Sequence, residues 1–126
     1  MNPDDQMKEA RRLGDKTKKP FKISGEKIER KIEGTEGCFA TDRILIDGMR
    51  IGYMYKEEKD FDSDSGWRFM AGDETDEYLD DQWNSGIYTV NTICNYDEEI
   101  IQHLGAPVGS SFALDPKTGK LIELKE

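Results

Sequence analysis

The chain has 126 residues, of which 35% are hydrophobic and 36% charged, with 27 acidic side chains against 18 basic ones and a net charge of −9. That length makes one domain, or one domain with a tail, and buries about two-thirds of its unfolded surface, so no disulfide or metal is needed to hold it. The charge disfavours nucleic acid and anionic membrane, both of which are bound through Lys and Arg, and makes a basic protein the electrostatic complement.

There is no run of eighteen apolar residues and no apolar leader behind Met1, so neither a spanning helix nor an export signal is expected, and the expected location is cytoplasmic. Cys38 and Cys94 then read as two reduced thiols acting as small buried hydrophobes.

The first 33 residues carry ten basic and seven acidic side chains, +3 overall, which leaves −12 for the rest. Few large apolar residues accompany them, so residues 1–36 read as a charged N-terminal extension, an arm or solvated linker that cannot build a core. A short helix over 5–13 and a turn around Ile28 and Ile32 are the elements expected there. Residues 37–126 read as one α+β domain.

In that domain Cys38-Phe39-Ala40 is a short strand, and Thr41 or Asp42 caps a helical turn ending at Ile46. Asp47-Gly48 is a turn. Residues 49–55 alternate, with Met49, Ile51 and Tyr53 on one side and Met54 leading the other, so they read as a strand. After a charged loop, residues 66–70 alternate again with Trp67 and Phe69 together, and the two runs are expected to pair antiparallel. Residues 73–81 make an acidic helical turn or two. Val90, Ile93 and Cys94 have helical spacing. Asp97 caps a second short helix carrying Ile100, Ile101 and Leu104, stopped by Gly105 and Pro107. Strands over 111–114 and 120–124 flank the turn Asp115-Pro116-Lys117-Thr118-Gly119, in which Pro sets φ and Gly takes the positive φ. The sum is a small antiparallel sheet with short helices and a C-terminal β-hairpin.

Catalytic chemistry lacks its parts. His103 is the only histidine, no G-x-S-x-G is present, and Gly119-Lys120 sits in a hairpin without the glycine spacing of a phosphate loop. The residues predict no catalytic site, no cofactor and no metal centre, and hence a binding protein rather than an enzyme. The nearest approach to a metal loop is Asp60, Asp62 and Asp64. Counted from Asp60, however, the turn position holds Ser65 instead of Gly and the bidentate position holds Ala71 instead of Glu. More telling are Asp73, Glu74, Asp76, Glu77, Asp80 and Asp81, packed into nine residues beside Tyr78 and Trp83. Like charges so close repel unless a partner offsets them, and aromatic anchors within a charged rim are the composition of interface hot spots. These eight residues are the candidate partner-binding set. The other reading is a stand-alone regulatory domain binding a small ligand or a cation in the 60–66 loop.

Phe39-Ala40 with Ile44-Leu45, Gly52-Tyr53-Met54-Tyr55, Asp64-Ser65-Gly66-Trp67-Arg68-Phe69, Gly72-Asp73-Glu74, Glu77-Tyr78-Leu79-Asp80-Asp81, Asn91-Thr92-Ile93-Cys94-Asn95-Tyr96-Asp97 and Pro107-Val108-Gly109-Ser110 occur in this order. The ordered set, spanning about residues 37–124, resembles a bacterial domain family first labelled as of unknown function. That family was later grouped with the immunity proteins of polymorphic toxin systems, as their thirty-third family. The resemblance implies a cytosolic protein that neutralises a cognate toxin by direct binding, and it brings no catalytic residues with it.

Overall fold

The computed structural model describes residues 1–125; Glu126, the last residue of the expected 37–126 domain, lies outside the described residues. Six strands form one sheet: β1 (Gly37–Thr41), β2 (Tyr53–Lys56), β3 (Asp64–Met70), β4 (Ser85–Thr89), β5 (Ser111–Asp115) and β6 (Lys120–Glu123). Their order is β4-β1-β3-β2-β5-β6. Only β1 and β3 run parallel, and the other four pairings are antiparallel. Helices α1 (Pro3–Leu13), α2 (Asp42–Leu45), α3 (Asp76–Asp80) and α4 (Val90–Tyr96), with a 3₁₀ turn over Glu98–His103, complete an α+β architecture. The C-terminal hairpin of β5 and β6 turns at Gly119, which takes φ +73° as its turn requires.

Strand alternation sorts the sheet into two faces. One carries Cys38, Ala40, Met54, Trp67, Phe69, Phe112 and Leu121, all buried beneath Ile44 and Leu45 of α2, Val90, Ile93 and Cys94 of α4, and Ile100 of the 3₁₀ turn. The Trp67 indole N–H donates to the Leu104 carbonyl at 3.2 Å, so the largest core side chain leaves no polar atom unpaired. The opposite face is not covered by α2, α4 or the 3₁₀ turn, and α3 meets it only through Leu79 among the described residues. Register aligns Ile87, Phe39, Arg68 and Tyr55 in one row, and Met70, Tyr53, Ala113 and Ile122 in the next.

Two elements differ from the sequence expectation. The run 49–55 is not one strand: β2 begins at Tyr53, and Ile51 and Met54 are both fully buried, which strict alternation from 49 forbids. Gly52 breaks the parity. Its N–H donates to the Met70 carbonyl and its own carbonyl accepts from the Leu114 N–H, both at 2.9 Å, and a Cβ there would stand 1.8 Å from the Ala71 carbonyl oxygen. The second is β4, which pairs with β1 from Ser85↔Thr41 to Thr89↔Gly37 and had no counterpart in the sequence reading.

Residues 1–36 run against this body. Asn2 caps α1 by accepting the Asp5 N–H at 2.8 Å, and Gly14, at φ +66°, ends it. Lys19 is buried, with its ammonium 2.9 Å from Asp42 of α2. Two asparagines of α4 hold the following stretch: Asn91 Oδ1 accepts from the Lys31 and Ile32 amides, and Asn95 Oδ1 accepts from the Glu29 amide.

Candidate partner-binding surface

The acidic segment is built around α3. Thr75 caps it, its hydroxyl accepting the Tyr78 N–H at 3.1 Å, and Asp76 and Glu77 sit in the first turn, where carboxylates suit the free N–H groups. The six acids fall into two groups. Asp73 is gripped by Arg43, Nε at 3.1 Å and Nη2 at 2.6 Å, and this guanidinium holds its carboxyl below the usual range. Glu74 turns inward, accepting from the Ala71 and Gly72 amides at 2.8 and 2.9 Å and from the Thr41 hydroxyl. Asp81 takes Arg11 at 2.8 Å and the Trp83 amide at 3.0 Å, and Arg11 lowers its pKa. Asp76, Glu77 and Asp80 are exposed, and among the described residues no cation pairs with them.

The two aromatics of the segment are not presented alike. Tyr78 is half-buried, and burial pushes its phenol up. Trp83 is half-buried under the N-terminal stretch: Lys19 Nζ lies 4.5 Å and Arg11 Cζ 5.9 Å from its ring centroid, and its indole N–H is enclosed without a partner among the described residues. Lys19 also donates to the Trp83 carbonyl, and Lys16 donates to the carbonyls of Gln82 and Ser85 at 2.7 and 2.6 Å. The basic residues of the first segment therefore occupy one flank of the acidic set in cis. For Lys19 and Asp42, burial outweighs mutual attraction, lowering the lysine pKa and raising the aspartate's.

In the 60–66 loop, Asp60 and Asp62 are exposed, whereas Asp64 is buried. Its two oxygens accept from Arg68 at 3.0 and 2.8 Å and from the Asp60 and Gly66 amides at 2.8 and 2.9 Å. Arg68 first, and then those amides, hold its pKa at about 2. Asp64 is thereby committed to the sheet and not open to a cation, and among the described residues no group of three or more His, Cys, Asp or Glu side chains could hold a metal ion.

Sequence reasoning did not single out the uncovered face of the sheet. A groove of about 240 Å³ lies there, lined by Phe39, Tyr55, Arg68, Met70, Ser85 and Leu79 of α3. Arg68 contributes little charge to it. The residue is 5% exposed, its guanidinium lies over the Phe39 ring at 4.5 Å, and Glu57 joins Asp64 in neutralising it. The available signal was the pair Tyr53 and Tyr55 flanking buried Met54: aromatics on the face opposite a core residue.

Among the described residues no helix is long and apolar enough to cross a membrane. Among curated proteins and among solved structures, none matches the chain. A family model does: the immunity protein Imm33 domain matches residues 38–125, from β1 to the end of the described chain. The match begins one residue into β1 and takes in β2 to β6 and helices α2 to α4, and the chain belongs to the Imm33 immunity-protein family.

Proposed function

We propose that this protein is a cytoplasmic immunity protein that neutralises a cognate bacterial toxin by direct protein–protein contact through its acidic surface, without a catalytic step of its own. The family supports the immunity role. The observation that carries the contact surface is the trio Asp76, Glu77 and Asp80, exposed on a helix tied down on both sides. Arg43 on Asp73 fixes one flank and Arg11 on Asp81 the other. Asp73, Glu74, Tyr78, Asp81 and Trp83 then shape the segment, and the trio meets the partner.

The matching partner is a basic protein, not nucleic acid or a membrane. Exposed carboxylates held together raise the local potential, which steers a cationic partner and speeds association, with strong salt dependence. Rim charges of this kind act chiefly on the association rate.

The test is surface plasmon resonance between the full chain and the C-terminal toxin module encoded by the adjacent reading frame. The variant Asp76→Asn/Glu77→Gln/Asp80→Asn is expected to slow association about tenfold at low salt, with the difference closing in about 0.5 M salt. Unchanged association at low salt removes the acidic surface from the reading. No binding by the unaltered chain removes toxin neutralisation.

A further inference from the structure

An antiparallel sheet with helices on one face normally turns polar side chains to water on the other. This sheet does not. Phe39, Tyr53, Tyr55 and Met70 stand on the uncovered face, and Ile87 and Ile122 on the same face are 58% and 51% exposed. The one charged residue within the two rows, Arg68, is spent on Asp64, Glu57, the Trp67 carbonyl and the Phe39 ring. The Tyr53 and Tyr55 rings lie 5.7 Å apart, and among the described residues neither hydroxyl has a hydrogen-bond partner. Tyrosines with an apolar body and a free hydroxyl are a preferred material of protein interfaces.

The groove on this face meets the acidic segment at α3. Leu79, 44% exposed, lines the groove, and the same short helix carries Asp76, Glu77 and Asp80. Glu57 closes the other side, its carboxylate on Arg68. An apolar floor within an acidic rim is the arrangement in which buried anchors supply residence time and rim charges supply steering. Trp83 supplies no such anchor, because Lys19 and Arg11 already cover it.

We infer that the uncovered sheet face, centred on Phe39, Tyr55, Met70, Leu79 and Ile87, is the anchoring half of the toxin interface and takes apolar side chains of a basic partner whose Lys and Arg flank them toward α3 and Glu57. This rests on the neutralisation reading and goes beyond it by locating the anchor. Charge complementarity selects the occupant: a second copy would set two acidic rims of a −9 chain against each other.

The experiment measures binding of the same adjacent-frame toxin module to the full chain and to two variants. Leu79→Ser/Ile87→Ser alters exposed positions that leave the core intact, and Tyr55→Ala cuts the groove wall; circular dichroism melts accompany both. The expected result is Kd raised about 30-fold by the double variant, through faster dissociation with an unchanged salt slope, and similarly by Tyr55→Ala. Binding within about twofold of the unaltered chain by the double variant overturns the anchor while neutralisation stands. Failure of the unaltered chain to bind overturns both. Sedimentation showing a dimer that the double variant dissolves makes the occupant a second copy and overturns the basic partner.

Discussion

Substituting Asp64→Asn tests the floor of the groove directly. Asp64 is fully enclosed, and its carboxylate faces Arg68 through two hydrogen bonds of 3.0 and 2.8 Å. An asparagine keeps one acceptor and turns an NH₂ group toward the guanidinium. The buried cation is then left with Glu57, at 2.6 Å but half exposed, and with the Trp67 carbonyl. Removing one partner of a buried pair costs about 3–5 kcal/mol, and the surviving Glu57 places this case near the lower end. The pKa supplies an independent figure. A carboxyl at about 2, against an ordinary 3.8, is held in its charged form by roughly 2.5 kcal/mol. The two routes agree within about 1 kcal/mol, and for a chain of this length they correspond to a melting temperature lowered by about 10–15 °C.

The pH dependence adds a sign. Asp64 titrates lower in the folded chain than in the unfolded one, so its contribution is complete above about pH 4 and disappears as pH falls through about 2. Melts followed by circular dichroism should therefore separate the two proteins near neutral pH and bring them together in acid. A drop of less than about 3 °C at neutral pH, or curves that stay parallel through the acid range, would refute the reasoning.

Two further outcomes follow from single contacts. Lys19→Met strands Asp42, itself 5% exposed, and is expected to cost about 3 kcal/mol at neutral pH. Since burial already raises the Asp42 pKa, protonation relieves the stranded charge, and the deficit in urea denaturation should shrink on acidification; a deficit constant with pH would show that Asp42 is not the stranded group. Gly52→Ala drives a methyl group into the Ala71 carbonyl, a backbone group that has no side-chain freedom to yield, and is expected to lower stability by about 3 kcal/mol or more; a melt matching the unaltered chain would mean that the two strands separate freely there.

The punctuation of this fold was legible because it is local chemistry. Pro116 with Gly119, Asp97 before Glu98, and Asp47-Gly48 each act within four residues, and the structure uses each of them: a hairpin, a cap accepting the Glu99 amide, and a glycine at φ +76°. What failed to read was set by neighbours distant in sequence. Val90, Ile93 and Cys94 show their helical spacing, but nothing local marks where that helix begins: Thr89 caps α4 and leaves Tyr88 in a strand, paired to Cys38. Gly86, two residues earlier on the same strand, leaves room for the Tyr88 ring, whose hydroxyl would stand 2.7 Å from a Cβ there. Gly52 likewise reads as an ordinary strand glycine until Ala71 is known to lie against it.

The site was legible in proportion to how much of it was composition. Clustering of six acids is visible in nine residues, but their availability depends on cations far along the chain: Arg43 is thirty positions from Asp73, and Arg11 is seventy from Asp81. No window reveals that these two acids are spent while Asp76, Glu77 and Asp80 are not. The sheet face was hidden by a symmetry of the strand itself. Alternation separates Met54 from Tyr55 and Cys38 from Phe39, but both members of each pair are apolar enough to be core, so the pattern does not say which side the helices cover. The helices decide it. The buried side chains of α2 and α4, Ile44, Leu45, Val90, Ile93 and Cys94, join Cys38, Ala40 and Met54 in one core. With those helices on the core side, Phe39 and Tyr55 stay half-buried on the other, so the face that a partner can reach is the remainder after the core is chosen. It becomes readable only once three-dimensional pairing is known.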